Sequence, residues 1–286
     1  MEQTVFLNGE YIERSDAKVD IEDRGYQFGD GIYEVIRVYE GTVFTMSEHL
    51  ERLYKSAEKM KLTVPYEMEE LTSMVGRLIE VNKVEDGFIY MQVSRGISPR
   101  QHHFPGKDVP ASVIAYTKEF KRPVKQMSEG VTATLVEDIR WLRCDIKSLN
   151  LLGNILAKEE AASKGDFEAI QHRGETVTEG SSSNVFIVKD GTVYTHPVTN
   201  LILNGITRRV IKDLADENGV PFVERTFTVE ELFEADEIFI ASTTSEVMPV
   251  IKVDDTVVGQ GVPGPVTMAL QSWFTDRIKA ACKKEV

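Results

Sequence analysis

Two segments of the chain carry side chains that could act together. Lys147 closes the run Trp141-Leu142-Arg143-Cys144-Asp145-Ile146-Lys147 and stands just before a helix-like stretch. Glu179 precedes Gly180 and the hydroxyl residues Ser181, Ser182 and Ser183, with Asn184 behind them. A lysine held among apolar groups loses proton affinity, and its amine can then condense with an aldehyde as a Schiff base. A carboxylate can keep a heterocyclic nitrogen protonated. These are the two side chains that pyridoxal phosphate chemistry needs most. A plainer reading competes for each one alone: a solvated lysine, and a glutamate in a surface turn.

Other donors lie in reach of the same chemistry. The serines after Gly180, Ser182 among them, offer hydroxyls and amides to a phosphate-bearing ligand; the alternative is a serine-rich turn. Asn204-Gly205-Ile206-Thr207 opens a helix, so the amides of Ile206 and Thr207 face out of a positive helix end unless Asn204 caps them. Ser242-Thr243-Thr244-Ser245 follows a strand of buried type and gives a second donor cluster. Arg100, His102 and His103 share one loop. An arginine there could hold a carboxylate with two parallel bonds, and a histidine could add a third donor. Arg52 falls opposite the apolar face of its helix, where pairing with Glu48 is the ordinary expectation. Cys144 reads as a small buried filler rather than a nucleophile. No His or Cys spacing suggests a metal site.

Several elements must position these residues. Asn8-Gly9 predicts a hairpin between Val5 and Ile12, and Glu40-Gly41 a second between Val35 and Met46. Ser47 is the expected N-cap of a helix that buries Leu50, Leu53, Tyr54 and Ala57. A second helix buries Leu71, Met74, Val75, Leu78 and Ile79, and strands are expected at Phe88–Val93 and Ser112–Tyr116. This half is α+β. The polar, proline-containing stretch at 119–126 marks a linker between residues 1–118 and 127–286. Beyond it, strands are expected near Val131–Leu135 and Ile139–Ile146, the second placing Asp145 and Lys147 on one face. A helix from about Leu149 stops at Gly165. A hairpin at Asp190-Gly191, a helix from Asn204 to Gly219, a capping box at Thr228–Glu231, a buried strand at Glu237–Ala241, a turn at Asp254-Asp255 and a last helix opened by Pro265 complete the order.

The bulk properties narrow the class. The 286 residues suit two cores, and the net charge of −13 argues against duplex nucleic acid and anionic membranes as partners. Two distant cysteines make neither a disulfide framework nor a metal pattern, so a reducing, cytoplasmic compartment is expected. The first residues have no basic or apolar signal character, and no apolar run could span a bilayer.

Five segments in order resemble the fold-type IV pyridoxal phosphate enzymes, the branched-chain and D-amino acid aminotransferase group. They are Asp23–Glu34, Lys147–Asn150, Thr178–Asn184, Gly205–Arg208 and Ser242–Glu246. The resemblance implies a smaller N-terminal α+β domain and a larger C-terminal pseudo-barrel α/β domain, with a cleft between them. It implies that Lys147 carries the cofactor and shuttles the α-proton, and that Glu179 keeps the ring nitrogen protonated. Arg52, Ile206, Thr207 and Thr243 would hold the phosphate, Leu203 would back the ring, and Tyr33 would line the substrate side. Arg100-x-His102 looks like the D-amino acid subgroup, in which Tyr33, Arg100 and His102 would bind the substrate carboxylate. Arg100 and His102 would then reach in from the neighbouring subunit of a homodimer, with His103 as the alternative to His102. The implied reaction exchanges an amino group between a D-amino acid such as D-alanine and a 2-oxo acid such as 2-oxoglutarate. The alternatives are an L-branched-chain transaminase, a lyase for an aminodeoxychorismate-like substrate, and an acidic binding module without catalysis.

Overall fold

The computed structural model describes residues 3–283. It divides into two compact units: the chain to Lys121 with Ile146–Asn150 and the stretch from Ala281, and Arg122–Asp145 with Leu151–Ala280.

The first unit holds β1 (Thr4–Leu7), β2 (Glu10–Glu13), α1 (Arg24–Phe28), β3 (Gly31–Tyr39), β4 (Thr42–Val43), α2 (Met46–Lys59), α3 (Met68–Asn82), β5 (Gly87–Ser94) and β6 (Ser112–Glu119). The six strands form an antiparallel sheet in the order β2-β1-β6-β5-β3-β4. Asn8 and Gly9 take positive φ at the first hairpin, and Glu40 and Gly41 at the second. On β3, Ile32, Glu34, Ile36 and Val38 are buried along one side, as alternation requires. Leu50, Leu53 and Ala57 of α2, and the five expected apolar residues of α3, join Ile32, Ile36 and Val38 in one core. The start of α2 differs from expectation. Thr45, in the left-handed region with no side-chain cap bond, is its N-cap instead of Ser47.

Because β4 pairs only with Val38 and Tyr39, the outer edge of β3 is open at its N-terminal end. Ile146–Asn150 fills it. Ile32 bridges Ser148, the Tyr33 amide donates to the Lys147 carbonyl at 3.0 Å, and the Leu149 amide donates to the Gly31 carbonyl at 3.0 Å. Gly31 permits this docking, since a Cβ there would sit 2.7 Å from Leu149 Cδ1 and 2.6 Å from the Val93 carbonyl oxygen.

The second unit holds α4 (Val124–Glu129), β7 (Val131–Glu137), α5 (Leu152–Ser163), β8 (Glu168–Arg173), β9 (Thr176–Gly180), β10 (Asn184–Lys189), β11 (Thr192–Thr195), α6 (Ile206–Glu217), β12 (Phe222–Glu224), α7 (Val229–Phe233), β13 (Glu237–Ser242), β14 (Glu246–Val253), β15 (Thr256–Val257) and, as far as Ala280, α8 (Pro265–Cys282). Its sheet runs β12-β11-β10-β13-β14-β7-β8-β9, with β15 beside β14. β7 runs parallel to both β14 and β8, and β12 runs parallel to β11. Residues 181–183 alone join β9 to β10, yet four strands lie between them in the ladder. Five strand spacings on a flat sheet measure ~24 Å. Three linking residues reach only ~14 Å from Gly180 to Asn184. The sheet must therefore curl, which gives the barrel-like form expected of this half.

Three expectations for this unit need revision. No strand forms over Ile139–Ile146; the segment is a loop that leaves Ile139, Trp141 and Leu142 exposed. An apolar run cannot become a strand without a ladder partner, and β7 already has neighbours on both sides, β14 and β8. The shared strand face of Asp145 and Lys147 is lost with it. The helix expected from Leu149 begins at Leu152, because the residues before it pair with β3. Strands β8 and β9, which the reading did not anticipate, carry Glu168 and Glu179. The Thr228 capping box, the Gly165 stop and the helix at Pro265 are present. Among the described residues, no helix is long and apolar enough to cross a membrane.

Candidate active site

In the first unit, Lys147 is fixed by its backbone. Besides its bond to Tyr33, its amide donates to Ser56 Oγ of α2 at 3.3 Å. Its Nζ stands 4.2 Å from the Tyr33 ring centre, a cation–π distance. Lysines such as Lys55, Lys125 and Lys164 instead pair with glutamates along exposed helix faces. Tyr33 stacks on Tyr90, which stacks on Tyr116, so the ring beneath Nζ belongs to an aromatic row.

One turn before Ser56 on α2, Arg52 is largely buried. Its Nε and a terminal nitrogen donate to the two oxygens of Glu34 at 2.8 and 2.7 Å. His49 Nδ1 lies 2.7 Å from the same carboxylate. The partner is therefore Glu34 where Glu48 was expected, because a carboxylate on the inner face of β3 draws the guanidinium inward. Burial favours a neutral Glu34, but Arg52 and His49 together outweigh it and hold the carboxyl at about 2. Burial drives His49 the other way, below its ordinary value, against the attraction of Glu34.

In the second unit, Glu179 is buried at the end of β9, not in a surface turn. Arg140 donates to its Oε1 at 2.6 Å, while the Asn184 side chain at 3.1 Å and the Leu203 amide at 3.0 Å donate to Oε2. Burial pushes its carboxyl up to about 7 against the pull of Arg140. Asn184 Nδ2 also donates to the Leu203 carbonyl at 2.9 Å and thereby ties Glu179 to the segment that enters α6. Gly205 is the N-cap there and brings no side-chain cap, so Asn204 does not fill that role. A Cβ at Gly205 would lie 2.1 Å from Asn184 Oδ1. The buried residues Ile206 and Thr207 thus open a helix whose first amides receive no capping side chain.

The serine run is used differently from the sequence expectation. Ser181, Ser182 and Ser183 donate their hydroxyls to Glu168, the last two at 3.1 and 2.9 Å. Ser182 therefore presents its hydroxyl to a protein carboxylate. Thr243 sits half-buried in the turn between β13 and β14, where the Ser245 amide donates to Ser242 Oγ. Arg100 and His102 flank the Phe28 ring of α1, at 4.5 and 5.8 Å, on an exposed loop. Cys144 is buried and its thiol is pushed up to about 11 by that burial, which fits a filler.

The structure thus joins Tyr33, Lys147 and the helix of Arg52 in one unit, and Glu179, Leu203 and the α6 entrance in the other. Sequence reading missed Glu34, His49, Asp138 and Arg140. Glu34 had a signal: it shares strand parity with Ile32 and Ile36. Arg140 had none, since it lies in a segment that reads as a strand.

Buried Glu34 and Asp138 make the fold acid-sensitive. Asp138 is held at about 2 because Arg140 and Arg173 outweigh burial. Both folded values lie below the ordinary 4.5 and 3.8. Their stabilisation is therefore present above about pH 4.5 and lost as pH falls towards 2, about 2–3 kcal/mol each. Glu179 has the opposite sign, and its term fades as pH rises from 4.5 to about 7. Urea midpoints measured below pH 4.5 should fall steeply. Glu34→Gln should flatten that slope, and an unchanged slope would refute this assignment.

A family model for amino-transferase class IV matches residues 31–253. The chain belongs to the class IV aminotransferase family. It is 55% identical over 276 residues to a D-alanine aminotransferase of Staphylococcus haemolyticus, covering 96% of this class IV chain and 98% of the relative. It is 52% identical over 281 residues to the D-alanine aminotransferase of Listeria monocytogenes serotype 1/2a, covering 97% of each. Among solved structures, the branched-chain amino acid aminotransferase of Escherichia coli superposes with a TM-score of 0.92 at 30% identity, covering 96% of this chain and 94% of that one. The branched-chain amino acid aminotransferase of Thermobaculum terrenum in its PLP-form gives 0.87 at 25% identity, covering 98% and 95%. The mixed α+β fold is therefore shared with the branched-chain aminotransferases of the class.

Proposed function

We propose that this class IV aminotransferase moves an amino group between a D-amino acid and a 2-oxo acid, D-alanine and 2-oxoglutarate among them, with pyridoxal phosphate as cofactor. The observation that carries the reading is the identity of more than half to D-alanine aminotransferases over nearly the whole chain. The residues present fit the cofactor. Lys147 offers an amine above an aromatic ring, Glu179 offers a buried acid, and α6 begins at an N-cap, Gly205, that brings no capping side chain. When bound, pyridoxal phosphate supplies an electrophilic carbonyl and a ring that accepts electrons.

The chain's own residues do the rest. Lys147 Nζ anchors the cofactor, gives way to the substrate amine, and moves the proton at the substrate Cα. Glu179 holds a proton on the ring nitrogen. Ile206 and Thr207, with Arg52, Thr243 and Ser182, serve the phosphate; for Ser182 this falls to its backbone, because its hydroxyl donates to Glu168. Leu203, whose amide holds Glu179, would back the ring. Tyr33, Arg100 and His102 take the substrate carboxylate, the latter two in a neighbouring subunit of a homodimer. The exposed set Ile139, Trp141, Leu142, Leu152, Ile155 and Leu156 supports self-association. A cytoplasmic location accords with two cysteines that lie far apart in the sequence, at 144 and 282.

Arg100→Ala tests the choice of subgroup. Loss of a two-bond carboxylate contact should lower kcat/KM for D-alanine about 100-fold, ~3 kcal/mol. Arg100 is exposed, so the melting temperature should hold. An L-leucine rate above the D-alanine rate in the unmodified protein would instead favour the branched-chain reading.

A further inference from the structure

Glu179 is the end of a buried charge chain. Arg140 is 9% exposed and spends three nitrogens on two acids. Nε and one terminal nitrogen fork onto Asp138 at 2.9 and 2.8 Å, and the other terminal nitrogen reaches Glu179 at 2.6 Å. Asp138 is gripped from its far side by Arg173 of β8 at 3.0 and 3.3 Å and by Thr178 Oγ1 of β9 at 2.9 Å. Arg173 also donates to the Arg140 and Trp141 carbonyls, which fixes the loop that bears Arg140. Gly153 at the start of α5 leaves space for the Arg140 stem, 3.0 Å from where a Cβ would stand.

We propose that Arg140, locked by Asp138 and Arg173, is a positioning residue that favours the ionised form of Glu179 against its burial, so that the proton shared with the cofactor ring rests on the ring nitrogen. The inference rests on the proposed role of Glu179. The groups that face Glu179 are Arg140 from the 138–145 loop, Asn184 from β10 and the Leu203 amide before α6, with Asp138 and Cys144 nearby. Arg140 is the one cation among them. Without it, a carboxyl surrounded by protein keeps its proton, and a neutral acid donates a hydrogen bond instead of accepting one. Arg173 does not take over the contact: its Nε and one terminal nitrogen are committed to Asp138 and to the Arg140 and Trp141 carbonyls.

The test loads the enzyme with pyridoxal phosphate labelled with 15N in the ring and reads its chemical shift across pH. The unmodified protein should show a protonated ring nitrogen at pH 7. Arg140→Met should move the resonance towards the neutral nitrogen, with a parallel loss of kcat of tenfold or more and little change in KM. Arg140→Lys should restore most of the protonated signal. Should Arg140→Met fail to fold, Asp138→Asn, which loosens the fork, should give an intermediate shift. A protonated signal in Arg140→Met, or in Asp138→Asn in its place, overturns the inference. If Glu179→Gln also leaves the shift unchanged, the role of Glu179 itself is what has failed.

Discussion

Lys147→Ala should lower kcat about 10⁴-fold or more, ~5 kcal/mol of barrier, because the variant loses both its covalent attachment and the base at the substrate Cα. The position is specific. The carbonyl and amide of Lys147 are bonded to Tyr33 and Ser56, which sets where its side chain leaves the β3 edge. Among the described residues, no carboxylate pairs with Nζ, whereas many other lysines are held in pairs on exposed helix faces. Borohydride reduction of the loaded protein, followed by peptide mapping, should put the label on Lys147. A label on any other lysine removes the assignment. The backbone bonds survive the substitution, so stability should change by less than about 1 kcal/mol, and loss of the fold would show that activity fell for another reason.

Glu179→Gln should keep the cofactor yet lose about 10²- to 10³-fold in kcat, of the order seen when one preorganised electrostatic partner is removed. The amide keeps the size of the acid but not its charge. It also brings a new conflict, since both oxygens of Glu179 accept donors: Arg140 on one side, Asn184 and Leu203 on the other. An amide nitrogen must face a donor on one side, which should cost about 1–3 kcal/mol of stability. Single-turnover rates with D-alanine, read beside a urea melt, separate the two effects. An unaffected rate would count against the ring-nitrogen role.

The elements set by local chemistry are readable in the sequence. The Asn8-Gly9 and Asp190-Gly191 hairpins, the apolar stripe of α3, the Thr228 capping box and the Pro265 helix start each follow from a few neighbouring residues whose preferences agree. The ordered motifs around Lys147, Glu179 and Gly205 were legible for the same reason, as short strings of fixed type and spacing. What failed was whatever depended on a distant partner. Ile139–Ile146 reads as a strand but has no free edge to join, and the residues just after it found one on β3, more than a hundred positions away. Arg52 reads as a surface cation until β3 presents Glu34 to it. The Ser182 hydroxyl reads as free for a ligand until Glu168, on an unforeseen strand, takes it up.

The sequence by itself determined which residue types were available for the chemistry and the order in which they occur, because covalent neighbours need no fold to meet. Only the tertiary structure decided which charges are buried and which partner each one keeps. Burial and pairing are properties of packing, and the charge of Glu34 and Glu179 depends on guanidinium groups brought to them by the folded chain.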